Sequence, residues 1–210
     1  MRIVSGRYKG FQLTVPKSGT RPTTDRAKEG IFSHLESYGQ VQEAQVLDLF
    51  AGTGALGIEA LSRGASGLVS VESAGQAGSL LRNTFSRLRK LSSWDGETSA
   101  RTVQTQAEKF VRSHGQRADT ASQSHPQTSE NPDIAEPGFD LIFIDPPYAY
   151  STEECEQLLQ ELAAGTLVNA ATIIVLERSD RTADPTIPTG WNATQIKNYG
   201  ETKVFYIEHD

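Results

Sequence analysis

Between residues 45 and 208, short apolar runs alternate with stretches in which apolar positions recur every three or four residues. Q-V-L-D-L-F at 45–50, G-L-V-S-V-E at 67–72, F-D-L-I-F-I-D at 139–145 and A-T-I-I-V-L-E-R at 171–178 predict strands buried on both faces. A further strand is expected over 101–106. Helical spacing predicts helices over 55–63, 74–91, 107–112 and 152–163, the first stopped by Gly64. Segments 193–198 and 203–208 flank Gly200 and read as a terminal hairpin. Buried strands alternating with helices specify a doubly wound, mainly parallel α/β sheet, to which that hairpin adds an antiparallel C-terminal edge.

Two segments depart from the alternation. R-I-V-S-G and K-G-F-Q-L-T-V-P, broken by Gly6 and Gly10, predict a short β-hairpin ending at Pro16. Thr23-Thr24-Asp25 then offers capping oxygens to a helix carried by Ala27, Ile31, Phe32 and Leu35 to about Ser37. The threonines and prolines at 20–24 read as a linker, dividing a small N-terminal arm (1–20) from a body (21–210). Residues 113–138 carry almost no large apolar side chain and cannot offset the entropy of ordering, which predicts a disordered surface insertion.

Composition, at 37% hydrophobic and 22% charged, is that of a globular protein. Cys155 is the single cysteine, which excludes an intrachain disulfide framework and a cysteine-based zinc site and suits a reducing cytoplasm. His114 and His125 lack ligand spacing, so no metal is expected. No eighteen apolar residues run together, which argues against a secreted or membrane-spanning chain. The expectation is a cytoplasmic monomer.

The net charge of −6 is unevenly spread. In residues 1–30, Arg2, Arg7, Lys9, Lys17, Arg21, Arg26 and Lys28 face Asp25 and Glu29, a surplus of five positive charges, so the remainder carries minus eleven. A basic arm on an acidic body points to a nucleic-acid partner.

Asp48-Leu-Phe-Ala-Gly52-Thr-Gly54-Ala-Leu-Gly57 follows a predicted strand and opens a predicted helix. Glycines there allow a tight turn and close approach of a ligand. Glu72 ends the next strand, where a carboxylate can accept both hydroxyls of a ribose; together these groups point to an adenosine-containing ligand. The G-x-G-x-x-G spacing is shared with nicotinamide dehydrogenases, and the loop leaves that alternative open. Asp48 favours methyl transfer from S-adenosylmethionine, since a carboxylate suits the methionine ammonium and would sit badly beside a pyrophosphate. Phe50 and Ala51 complete a D-x-F-x-G-x-G form.

Asp145-Pro146-Pro147-Tyr148 follows the apolar strand F-D-L-I-F-I. The prolines hold the backbone extended and leave carbonyls free to face a ligand. An exocyclic amine on a base is a poor nucleophile because its lone pair is delocalised into the ring. Accepting its hydrogens on the Asp145 carboxylate and the Pro146 carbonyl favours a pyramidal nitrogen aimed at a methyl donor. Tyr148 can stack on the base, a contact worth about 1–3 kcal/mol. Much of the rate then comes from orientation.

These motifs, together with M-R-I-V-S-G, K-G-x-x-L-x-V-P, G-T-R-P-T-T-D-R-A-K-E and Y-G-E-T at 199–202, identify a resemblance. The chain resembles the bacterial 16S rRNA guanine-N2 methyltransferases, the small-subunit ribosomal RNA methyltransferase D family, over nearly its whole length. The resemblance implies a Rossmann-like class I methyltransferase fold and transfer of a methyl group from S-adenosyl-L-methionine to the N2 amine of a guanine in 16S ribosomal RNA. It further implies that the RNA is met within a 30S assembly particle. It implies cofactor contact at Asp48, Phe50, Ala51, Gly52, Gly54, Glu72, Gln106 and Ala107, and catalytic positioning at Asp145, Pro146, Pro147 and Tyr148. RNA contact is implied at Arg2, Arg7, Lys9, Arg21, Thr23, Thr24 and Arg26. Gln106-Ala107 departs from the acidic residue and alanine common at that strand end. Two other classes share parts of the pattern: DNA adenine-N6 or cytosine-N4 methyltransferases, and non-catalytic RNA-binding assembly factors on the same scaffold.

Overall fold

The computed structural model describes residues 1–15, 25–114 and 138–210. Its element order is α1 (Asp25–Ser37), β1 (Gln45–Asp48), α2 (Ala55–Ser62), β2 (Gly67–Val71), α3 (Gly75–Leu88), β3 (Ser99–Val103), α4 (Ala107–His114), β4 (Phe139–Ile144), α5 (Thr152–Ala164), β5 (Val168–Ser179), β6 (Trp191–Tyr199) and β7 (Thr202–His209). One seven-stranded sheet results, in the order β3-β2-β1-β4-β5-β7-β6. β1 to β5 pair in parallel, and β7 enters antiparallel between β5 and β6. This is the expected doubly wound α/β sheet with its antiparallel C-terminal edge.

Period-two alternation assigns the side chains of each buried strand to two cores. On β4, Leu141 and Phe143 join a cluster with Ile31, Phe32, Ile58, Leu81 and Phe85 from α1, α2 and α3. Ile142 and Ile144 face the opposite way, against Phe110, Leu158 and Leu162 from α4 and α5. With both faces covered, the strands read as continuous apolar runs. α5 starts on a capping box in which the Ser151 hydroxyl accepts from the Glu154 amide and the Glu154 carboxylate accepts from the Ser151 amide.

Chain reversal occurs at the boundary between β1, whose helices continue toward β3, and β4, where the order turns back. Such a switch point opens a crevice at the carboxyl ends of the strands. The third strand lies at 99–103 rather than 101–106, because Gln104 to Gln106 already leave the ladder and Gln106 reaches that crevice.

The N-terminal segment reverses on itself: the Ile3 amide donates to the Phe11 carbonyl at 3.0 Å, Gly10 to Ile3 at 2.9 Å and Leu13 to Met1 at 3.0 Å, around one antiparallel bridge from Arg2 to Gln12. The segment also lies on α2, all eight residues of which are buried. The buried Glu59 carboxylate accepts the amides of Val4 and Ser5 at 2.9 and 3.0 Å, as well as the Arg63 side chain. The Arg7 amide donates to the Ser62 carbonyl, and that of Tyr8 to the Ser62 hydroxyl. Gly6 has φ +76, and a Cβ there would lie 1.9 Å from the Ser62 carbonyl oxygen, so only glycine allows this approach. Ile3, Tyr8 and Leu13 enter the first core. The expected boundary near residue 20, and all of the 113–138 insertion except its terminal residues 113, 114 and 138, lie outside the described residues.

Candidate active site

At the switch point lies a cavity of about 540 Å³, walled by the segments that follow β1, β2, β3, β4 and β5, the β6–β7 turn, Met1 and Arg26. A volume of this order suits a small-molecule ligand. Eleven of the twelve residues expected at the cofactor and catalytic positions line it: Asp48, Phe50, Ala51, Gly52, Glu72, Gln106, Ala107, Asp145, Pro146, Pro147 and Tyr148. Gly54, the twelfth, stands behind the wall. It has φ +79 at the N-terminus of α2, and a Cβ would meet Leu81 and Ile58 side chains at 2.6 and 2.8 Å, so its role is to permit the turn.

The glycine loop is built by local hydrogen bonds. The Ala51 amide donates to the Val71 carbonyl at 3.0 Å, bracing the loop against β2. Gly52 has φ +52, and around an added Cβ the nearest atom is the Phe50 carbonyl oxygen at 3.9 Å, so its missing side chain opens onto the cavity. Both Glu72 oxygens are held by backbone: one accepts the Gly52 amide at 2.8 Å and the other the Ala74 amide at 2.7 Å. A carboxylate has further lone pairs to offer beyond those two bonds. These features fit an adenosine-containing cofactor: open backbone at Gly52, a preoriented carboxylate, and Gln106-Ala107 beyond it.

Asp48 is buried at 2% exposure and accepts the Gly57 amide at 3.2 Å. A Cβ at Gly57 would stand 3.1 Å from that carboxylate and 2.6 Å from Leu68, so the third glycine serves packing. Burial is the main cause that pushes the Asp48 carboxyl up to about 7. The Gly57 amide opposes the shift, and nearby Asp145 and Glu72 add to it.

The proline loop is fixed from behind by residues that sequence reasoning passed over. The Tyr150 amide closes a turn on the Pro147 carbonyl at 2.8 Å, and Arg178 donates from Nη2 to the Tyr150 carbonyl at 2.9 Å. The buried Tyr150 ring packs edge-on against Phe50, with centroids 5.2 Å apart, joining the two loops. Asp145 and Pro146 are half-buried, and Tyr148 is 64% exposed at the mouth.

Glu177 was also missed. It lies near the end of β5, is 3% exposed, and lines the same cavity. A signal existed: I-I-V-L-E ends in a carboxylate just as V-S-V-E and I-F-I-D do, and each follows a buried parallel strand.

The basic positions divide. Arg26 lines the cavity mouth, and Lys9 is exposed. Arg2 pairs with Asp25 at 3.6 Å and Arg7 with Asp95 at 3.9 Å. Lys28, counted in the basic surplus, is fully buried, its ammonium bound to the Arg2 carbonyl at 2.7 Å and to Asp25 at 3.3 Å. Arg21, Thr23 and Thr24 lie outside the described residues. Among the described residues, no helix is long and apolar enough to cross a membrane.

Comparison with known proteins places this site in a family. The family model described as "Conserved hypothetical protein 95" matches residues 1–121 and 95–208. Ribosomal RNA small subunit methyltransferase D of Escherichia coli strain K12 is 33% identical over 203 residues, covering 96% of this chain and 86% of that protein. The protein of the same name from Haemophilus influenzae is 29% identical, over 95% and 89% of the two chains. The solved structure of Escherichia coli yhhF superposes with a TM-score of 0.75 at 27% identity, covering 100% of this chain and 98% of that one. The nicotinamide dehydrogenase alternative falls with these matches: the chain belongs to the ribosomal RNA small subunit methyltransferase D family.

Proposed function

We propose that this protein transfers a methyl group from S-adenosyl-L-methionine to the exocyclic N2 amine of a guanine in 16S ribosomal RNA, during assembly of the small subunit. The observation that carries the reading is that the glycine loop and the Asp145-Pro146-Pro147-Tyr148 loop wall one cavity. The names of the relatives supply the RNA class.

When bound, the cofactor supplies an electrophilic methyl on a sulfonium. Glu72 would hold the ribose hydroxyls, Gly52 would give the backbone room, and Asp48 would face the methionine ammonium. Gln106 and Ala107 would border the adenine. Asp145 and the Pro146 carbonyl accept the hydrogens of the target amine and orient its lone pair, while Tyr148 covers the base. The cofactor would supply the methyl for the new N–C bond and depart as the neutral thioether. The nitrogen, briefly cationic, is then acidic enough to lose a proton to Asp145 or to water. Asp145 therefore needs no strong basicity, and its main work is orientation. Arg26 at the mouth, with Arg2, Arg7, Lys9 and the Arg21 to Thr24 segment, would meet the phosphate backbone, which positions RNA without reading its sequence.

Mass-spectrometric mapping of 16S ribosomal RNA from cells lacking the protein tests this reading. One N2-methylguanine should disappear and return on complementation; a full set of modifications in the deletion strain refutes it.

A further inference from the structure

The carboxyl ends of the parallel strands deliver a row of groups to the cavity in the order of the sheet: Gln106 after β3, Glu72 after β2, Asp48 on β1, Asp145 after β4 and Glu177 on β5. The first three stand on the glycine-loop side of the switch point. Asp145 and Glu177 stand on the other side. Ile144 of β4 is in register with Leu176 of β5, so Asp145 and Glu177 are the next pair along two adjacent parallel strands. Strands so paired lie about 4.8 Å apart and send residues of equal register to the same face.

Glu177 is more than nine-tenths buried, and its Oε1 has no hydrogen-bond partner among the described residues. Such a group costs free energy unless something donates to it. Asp145 and Asp48 act on it as like charges, the Tyr199 and Tyr206 hydroxyls lie within electrostatic reach but do not hydrogen-bond that oxygen, and Arg178 gives its Nη2 to the Tyr150 carbonyl. For stability alone, an apolar residue would serve better at this position. The missing donor is therefore expected from whatever enters the cavity.

We propose that Glu177 determines which base is accepted, by taking the N1–H of a guanine whose N2 amine lies against Asp145. The inference rests on the guanine-N2 reading above. On the Watson–Crick edge of guanine, N1–H and the N2 amine are adjacent donors, matching two carboxyls carried side by side. Adenine and cytosine present a lone pair beside their exocyclic amine instead, and a carboxylate facing it repels it. Rejection of this kind is strong, because the mismatch leaves buried polar groups unpaired. Burial first, and then Asp145 and Asp48, push the Glu177 carboxyl well above the ordinary carboxylate range. With a sulfonium cation bound in the same cavity, these carboxyls are drawn back toward their ionised forms.

The test uses the full-length protein, labelled S-adenosylmethionine and an RNA fragment spanning the mapped target, with either guanine or 2-aminopurine at that position. 2-Aminopurine keeps the N2 amine but carries a lone pair at N1. Wild-type protein should favour guanine by at least about 100-fold in kcat/KM. Glu177→Gln, whose amide can donate or accept, should slow guanine roughly 10-fold, speed 2-aminopurine, and bring their ratio near one. Equal use of the two bases by wild-type protein overturns the proposal without any variant. So does a Glu177→Gln variant that leaves the ratio unchanged, or one that loses S-adenosylhomocysteine binding by calorimetry while its unfolding temperature is retained, since Glu177 would then belong to the cofactor half. If the wild-type product on natural RNA is not N2-methylguanine, it is the functional reading that fails, and mapping shows this before the analogue is tried.

Discussion

Glu72 and Glu177 occupy equivalent places, each near the carboxyl end of a parallel strand and each facing the same cavity, yet their surroundings are opposite. Glu72 is half-buried and gripped by two backbone amides, so its geometry is complete before anything binds. Glu177 is buried, has an oxygen without a donor among the described residues, and sits among other carboxyls. One half of the cavity is preorganised by main chain; the other is held in an unfavourable state that a ligand must relieve. Asp145 and Asp48 lie at the seam, and their responses to substitution separate the two halves.

The largest effect is expected at Asp145. Asp145→Ala should lower the single-turnover rate of methyl transfer roughly 10²–10³-fold, the scale of losing one preorganised charge-stabilising hydrogen bond. Cofactor affinity should stay near normal, because the glycine-loop half does not depend on it. Equal activity would remove the proposed positioning role, and lost cofactor binding would merge the two halves. Glu72→Ala should do the reverse. It takes away the carboxylate that orients Gly52 and would meet the ribose, and calorimetry with S-adenosylhomocysteine should show affinity falling roughly 10- to 100-fold, the worth of hydrogen bonds to a charged group. At saturating cofactor its chemical step should be little changed, and an unaltered affinity would count against the ribose assignment.

How far the sequence was legible follows the same division. Strands buried on both faces write themselves as apolar runs, and the glycine and proline loops mark the ends of two of them, so β1, β2, β4 and β5 were found within a few residues. Glu72 was found because it closes the strand that follows the glycine loop, and Asp145 because it opens the proline loop. Glu177 closes a run too, but it is followed by no motif, and its relation to Asp145 depends on the pairing of β4 with β5 across 32 residues of chain. The N-terminal reversal was legible as well, but its docking on the body was not. The Ile3, Gly10 and Leu13 amides do pair across the reversal, but Ile3, Tyr8 and Leu13 turn into the core of the body, and the amides of Val4, Ser5 and Tyr8 find Glu59 and Ser62, tertiary contacts that alternation does not show. Lys28 was counted among basic surface residues because its tie to the Arg2 carbonyl is a tertiary contact, invisible in charge spacing.

The smallest effect, and the one that reads the seam directly, is the pH dependence contributed by Asp48. Its carboxyl stands near 7 in the folded protein against an ordinary value of 3.8, mainly because it is buried. At acid pH, below the ordinary value, the group is protonated in both folded and unfolded chains and contributes no difference. As pH rises from about 4 to 7, the unfolded chain loses this proton while the folded chain keeps it, so folded-state stability falls across that interval and levels off above it. Three pH units set a ceiling of ~4 kcal/mol, and relaxation around the ion lowers what is observed. Asp48→Asn keeps an oxygen to accept the Gly57 amide but has nothing to ionise. Without ligand, it should be more stable than wild type by about 1–2 kcal/mol at pH 8 and no more stable at pH 4. Binding a cation reverses the preference: wild-type affinity for S-adenosylmethionine should strengthen as pH rises through about 7, whereas that of Asp48→Asn should lack this component. Denaturant unfolding and calorimetry at the two pH values measure both. Parallel pH curves for the two proteins would show that the buried carboxylate carries no charge cost, and that the seam is as well prepared as the Glu72 half.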